Sequence, residues 1–348
     1  MSLANEQKRL LEDLYEQMAP NFLTPLWEML ATLVKPEPSS PAASHRWSYR
    51  EMRDFLLRAG DLISAEQAER RVLILENPTL PGLSAITPSL YAGLQMILPG
   101  EIAPAHRHSQ CALRFVMEGS GAFTSVGGEK AIMNPFDLVL TPGGEWHDHG
   151  NPTDIPMIWL DGLDIPTVRL FDATFAEHLD SKVHPETMPP GSSLAAYGQN
   201  MRPMHGHTAD YRPVAQPLFH YPFAKWRAAL DGLARTSPID PHLGHALEFL
   251  NPADGGAIMN TISAHVRLLP AGFSSAPRQS TDGTIFVVVE GEGTAQVGER
   301  EFALMPRDVV VVPSWSKLGL EARKDLVLFG FSDKVSQQKL GLYKEKCA

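Results

Sequence analysis

Residues 104–123, PAHRHSQCALRFVMEGSGAF, are the most informative stretch of the chain, because their second half returns much farther on. EGSGAF at 118–123 aligns with EGEGTA at 290–295, an offset of 172 residues. The offset holds on both sides. Gly100 of LPG falls on Gly272 of PAG, also 172 on, and PFDLVLTP at 135–142 falls on PRDVVVVP at 306–313, 171 on. Similarity at a near-constant spacing is the mark of an internal repeat. Within each copy, apolar runs such as ALRFVM, FDLVLTP and PMIWL are bounded by Gly, Pro, Asn or Asp, which reads as a series of short strands. The 29 prolines and 27 glycines among 348 residues fit that reading and argue against a helical bundle.

Outward from the repeats the texture changes. Leu10, Leu11, Leu14, Met18, Leu26, Met29, Leu30 and Leu33 recur at helical spacing, broken by Pro20 and Pro25, so two helices are expected there. Further helical patterns follow a Pro/Ser-rich loop at about residues 49–59 and 64–70, the last opened by Ser64 and Gln67 in a capping-box arrangement. The expected organisation is a helical N-terminal arm over 1–70, a first β-domain over 71–170, a connector with one helix over 171–250, and a second β-domain over 251–340.

Composition narrows the function. A net charge of -10, with no basic run, makes nucleic acid a poor partner. No apolar stretch approaches a membrane span, and the polar start lacks a signal-peptide core. Two distant cysteines, Cys111 and Cys347, suggest neither a disulfide framework nor a thiolate zinc site, and a reducing cytoplasm is expected.

The chemistry gathers in the first repeat. On a strand, side chains two apart share a face, so His106 and His108 enter the same space. His147, in PGGEWHDHGN at 142–151, offers a third imidazole from a second strand. Three such ligands on one side of a metal leave positions open for substrate and oxygen, as non-heme Fe(II) oxygenases require. His149 shares a face with His147 by the same rule, close to the metal without being needed as a ligand. Arg114 follows His108 by six residues, an even spacing that puts it on the same face if the strand is regular, and a guanidinium there suits a substrate anion. The second copy has Arg278, Ser280 and Leu318 where the histidines stand, so its interior is expected to be metal-free. The pair His205 and His207 sits in the connector without a partner strand, and His242, His245 and His265 lack paired spacing.

The PG-to-HxH spacing and PGGEWH with Asn151 resemble the two motifs of the cupin fold, a double-sheet jelly roll. TPLW at 24–27, RRVLILENP at 70–78 and IWLDGLDIP at 158–166 resemble, more specifically, the bicupin ring-cleaving dioxygenases that act on gentisate, salicylate or 1-hydroxy-2-naphthoate. The usual cupin glutamate ligand is missing, since Ala112 and Leu113 occupy its place, which matches a three-histidine Fe(II) site in that family. Phe136 stands where the second motif usually opens with Gly.

The resemblance implies a mainly β bicupin of two jelly rolls behind a helical extension. It implies Fe(II), O2 and a small aromatic hydroxy acid, gentisate giving maleylpyruvate first among them, and a homotetramer. It also implies a site: His106, His108 and His147 on the metal, His149 as acid-base or hydrogen-bonding group, and Arg114 on the substrate anion. Asp161 would support a histidine, Gln95 would line the pocket, Arg70 or Arg71 would reach in from the N-terminal segment, and Trp27 and Tyr91 would form its wall. Salicylate or hydroxynaphthoate turnover, and a non-catalytic metal-binding bicupin, are the rival readings.

Overall fold

The computed structural model describes residues 3–181, 183–204 and 216–347. His205 and His207 lie outside the described residues. The chain forms two compact units, Met1–Ser39 and Ser40–Ala348.

The smaller unit holds helices Leu3–Met18 and Leu26–Leu33, separated by a turn containing Pro20. Tyr15 joins the two helices: its hydroxyl donates to Glu28 at 2.7 Å and accepts from the Trp27 indole at 2.8 Å.

The larger unit is a bicupin, each barrel made of two antiparallel sheets. In the first barrel a six-stranded sheet runs in the order His220–Tyr221, Leu138–Thr141, Ala112–Glu118, Met157–Leu163, Tyr91–Ile97, Arg71–Ile74. It faces a five-stranded sheet ordered Ala176–His178, Ile102–His108, His147–Gly150, Phe123–Val126, Glu129–Ile132. The second barrel repeats this strand for strand. His45–Trp47, Val309–Val312, Thr284–Glu290, Leu326–Ser332, Ser263–Leu269 and His245–Glu248 form its six-stranded sheet, and Glu345–Cys347 edges the five-stranded one.

Register makes the repeat literal. His106 pairs with His147 in the first barrel, and Arg278 pairs with Leu318 in the second. Arg114 pairs with Asp161, and Phe286 with Gly330. The repeated EG turns have a steric cause. Gly119 and Gly291 have φ of +90° and +81°, and a Cβ on either would meet the carbonyl oxygen of Pro156 or Asp325 at 2.6 and 2.0 Å. Phe136 and Arg307 hold a further shared left-handed position, at φ +67° and +69°, without glycine. At Phe136 the strain of about 1–2 kcal/mol is offset by ring contacts with Phe115 and Phe223, centroids 6.0 and 5.4 Å away.

The repeat also reaches further upstream than the sequence offset indicates, and its upstream parts are exchanged. His45–Trp47 and helix Tyr49–Leu62 precede the first barrel, yet the strand adds to the second barrel's sheet. Asp308 of the second barrel accepts from the Tyr49 amide at 3.0 Å, starting that helix, while Arg53 on it pairs through Nε and Nη2 with Glu118 of the first. His220–Tyr221 and helix Phe223–Thr236 mirror this: the strand joins the first barrel, Asp137 accepts from the Phe223 amide at 2.8 Å, and Arg227 pairs with Glu290. Residues expected to be arm and connector therefore contribute strands to both barrels. Between the barrels Phe115 stacks on Phe329, centroids 4.1 Å apart and planes within 5°, and both rings are fully buried.

Candidate metal and substrate site

The five-stranded sheet of the first barrel brings the three histidines together. His106 and His147 are cross-strand partners with ring centroids 4.0 Å apart, and His108, two residues along, lies 5.3 Å from His106 and 4.9 Å from His147. One ring nitrogen of each lies within 4.8 Å of the other two. Each Nδ1 faces a backbone carbonyl: His106 that of Pro104 at 3.2 Å, His108 that of Gln110 at 2.9 Å, His147 that of Glu145 at 3.0 Å. A carbonyl accepts only, so at His108 and His147 these contacts put the ring proton on Nδ1 and leave Nε2 bare, the state a metal needs; at His106 the Arg70 guanidinium, a donor 2.7 Å from Nδ1, competes with the Pro104 carbonyl. The Nε2 of His147 is buried without a hydrogen-bond partner, which fits a nitrogen that serves as a metal ligand.

Burial, reinforced by nearby guanidinium groups, keeps the rings neutral. It lowers the pKa of His106 to about 2 and of His108 to about 4, and takes His147 well below the ordinary imidazole value. Neutral imidazoles bind a cation without first releasing protons. Imidazole suits iron, zinc, copper and nickel alike.

Around the triad, His149 is fully buried. The Thr124 hydroxyl is 3.1 Å from the Asp148 carbonyl and 2.7 Å from His149 Nδ1. With its one proton given to the carbonyl, Thr124 accepts from Nδ1–H, so His149 Nε2, which has no partner, is a bare acceptor.

Arg114 reaches the same interior, though not along the regular strand that its even spacing assumed. The chain turns at 109–111, and Arg114 lies on the other sheet of the barrel. It is 3% exposed, donates from Nη1 to Thr141 Oγ1 at 2.5 Å, and has Nε 3.5 Å from Asp161 Oδ1. Asp161 touches Arg114 and the Trp159 indole rather than a histidine, so it positions the guanidinium. Burial pushes the Asp161 pKa up to about 6 even though Arg114 pulls it down.

Gln95 pairs with Trp159 across adjacent strands and so shares its face, which carries the Trp159 ring against His149, centroids 5.6 Å apart. Tyr91 and Gln95 alternate onto that same face. Arg70 and Arg71 separate cleanly: Arg70 Nη2 lies 2.7 Å from His106 Nδ1, whereas Arg71 forms a two-bond pair with Glu101 at 2.9 and 3.0 Å and donates to the Ile63 carbonyl. Arg71 is thus occupied structurally, a correction to its placement beside the substrate. Trp27 belongs to the smaller unit, where it is 63% exposed and bonded to Tyr15.

Two neighbours escaped sequence reasoning. Thr124 carries no motif; only its cross-strand pairing with His149 reveals it. His178 pairs with His106 from the connector strand Ala176–His178, ring centroids 6.3 Å apart, and nothing in its local sequence marks it.

Residues 93–163 match the cupin domain family. Over 336 residues the chain is 48% identical to "Gentisate 1,2 dioxygenase 1" of Aquipseudomonas alcaligenes, covering 96% of this chain and 95% of that one. It is 35% identical to a 5-aminosalicylate 1,2-dioxygenase of Comamonas sp, covering 97% and 90%. Among solved structures, salicylate 1,2-dioxygenase from Pseudoaminobacter salicylatoxidans, with gentisate, superposes with a TM-score of 0.90 at 34% identity, over 97% of this chain and 93% of that one.

Proposed function

The chain belongs to the gentisate 1,2-dioxygenase family of bicupin ring-cleaving oxidoreductases, and on that premise we propose that it joins gentisate and O2 to give maleylpyruvate, using Fe(II) on His106, His108 and His147. The observation that carries this reading is three neutral imidazoles gathered with a ring nitrogen of each within 4.8 Å of the others, beside the buried Arg114. Held by His106, His108 and His147, iron would supply the electron-transfer chemistry that O2 requires.

The protein's own residues do the rest. Arg114 takes the substrate carboxylate in a charge-assisted bond through the guanidinium edge that Thr141 and Asp161 leave unengaged. Asp161 and Thr141 fix the plane of that guanidinium before substrate arrives. His149 Nε2 accepts a hydrogen bond from a ring hydroxyl, with Thr124 holding the imidazole in the tautomer that accepts. Arg70 is an unconditional donor, so it cannot bond to His106 Nδ1 while that nitrogen carries its proton toward Pro104. In the metal-ready tautomer Arg70 is released to serve the substrate anion beside Arg114.

We place the protein in the cytoplasm as a homotetramer. No described helix is long and apolar enough to cross a membrane, and both cysteines are free. The two helices of the smaller unit bury none of their described side chains, with Leu10, Leu26 and Leu33 more than half exposed, as suits helices that pack in an assembly.

The test is oxygen uptake with gentisate alongside metal analysis. Wild type is expected to hold about one iron per chain and to consume O2 as the ring-opened product appears. His106→Ala is expected to lose both, and an active, iron-loaded His106→Ala would end the proposal.

A further inference from the structure

The second barrel, which lacks the histidine triad, is not filled solid. Its interior keeps a cavity of about 240 Å³ lined by polar side chains that include His265, Arg267, Arg278, Asp282, Ser332 and Lys334. These stand where the first barrel carries its own site. His265 and Arg267 occupy the strand positions of Gly93 and Gln95, and Arg278 that of His106. A barrel serving only as a packing partner would fill this space with apolar side chains, as it does in the adjoining cluster around Phe286, Val310 and Leu328.

The unmet bonds point to an occupant. Arg267 is 6% exposed, its Nε has no acceptor, and it forms no ion pair among the described residues; its guanidinium rests on the Phe286 ring at 5.0 Å. Asp282, also 6% exposed, accepts from Thr284 through Oδ2 while Oδ1 is buried without a donor. His265 Nε2 is buried and unpartnered. One donor, one acceptor and one nitrogen of either kind thus stay unpaired around one cavity, and buried polar groups are rarely left so. Arg278 is already engaged by Tyr343 and Glu345, so the available positive charge is that of Arg267, with Lys334 at the margin.

We propose that this cavity binds a small hydroxycarboxylate, its carboxylate on Arg267 and its hydroxyl donating to Asp282 Oδ1. The carboxylates of Asp282 and Glu248, both on the cavity wall, repel a dianion such as phosphate, while a monoanion carrying its own donor satisfies both unmet groups. The volume lies below the range usual for drug-sized ligands, which selects a compact molecule.

Lactate is the probe, titrated calorimetrically into the iron-loaded full chain, with acetate as the anion that lacks a hydroxyl. One lactate is expected per chain, bound at least about fivefold more tightly than acetate. Arg267→Gln should weaken lactate about tenfold or more, a shift of ~1.4 kcal/mol, and His106→Ala should leave it unchanged. Should Arg267→Gln fail to fold, Asp282→Asn is expected to abolish the preference for lactate over acetate while keeping acetate affinity. Absence of saturable lactate binding, or binding lost in His106→Ala and kept in Arg267→Gln, would overturn the assignment.

Discussion

Replacing Arg114 by methionine removes the guanidinium and keeps most of the side chain's bulk, and two separable losses should follow. The first concerns stability. Arg114 and Asp161 are a buried pair, 4% and 8% exposed as side chains and 3.5 Å apart. Stripping one partner from such a pair costs about 3–5 kcal/mol, softened here because Asp161, already pushed up to about 6, protonates at neutral pH once the cation is gone. The second concerns substrate. A hydrogen bond to a charged group contributes about 1.5–3 kcal/mol, equivalent to roughly a 10- to 150-fold rise in KM for gentisate at ~1.4 kcal/mol per decade. Metal content should not change, since Arg114 lies outside the histidine triad proposed to hold the metal. The double variant Arg114→Met/Asp161→Asn separates the two losses: with the stranded carboxylate gone, urea unfolding should recover most of the stability while KM stays high. Recovery of KM together with stability would refute a direct role in binding, and loss of iron in the single variant would make Arg114 a residue of the metal site.

Asp161 also predicts a pH effect. Its folded-state pKa is raised by burial from 3.8 to about 6, so the stability tied to its proton is fully present below pH ~4 and lost as pH rises through 6. Between pH 7 and 5 wild type should gain thermal stability relative to Asp161→Asn, and parallel curves would show that the carboxyl stays charged. Asp137 and Asp308 predict matched losses. Each accepts a helix-starting amide, a turn amide and a side-chain donor from the exchanged segment: Phe223, Asn134 and His220 for Asp137; Tyr49, Met305 and Arg46 for Asp308. Asp137→Ala and Asp308→Ala should each cost roughly 2–4 kcal/mol in urea unfolding, and a variant losing under about 1 kcal/mol would disprove the equivalence.

What could be read from sequence tracks what side chains must do. The duplicated EG turn was legible because φ near +90° admits glycine and little else, and the histidine face because metal binding leaves imidazole few substitutes. The exchanged strands His45–Trp47 and His220–Tyr221 were not, since a short edge strand is held by backbone groups that any sequence provides. Their helices share little beyond Arg53 and Arg227, four residues after Tyr49 and Phe223, a match that gains meaning only once Glu118 and Glu290 are seen opposite. Arg114 reached its expected surroundings by a route that spacing did not foresee, because the turn at 109–111 carries the chain from one sheet to the other. Arg70 and Arg71, adjacent and chemically identical, separate only when Glu101 is found beside one of them.

The exchange of strand and helix makes each barrel the keeper of the other's clasp. The metal-binding barrel is closed along one edge by His220–Tyr221, which the chain lays down after that barrel is complete, and the second barrel by His45–Trp47, synthesised before either. A cut anywhere between residues 179 and 219 therefore leaves both halves with a raw sheet edge and a foreign clasp. The barrel without the histidines is in this sense a permanent mould for the one that has them, so the two should melt as one body, in a single transition.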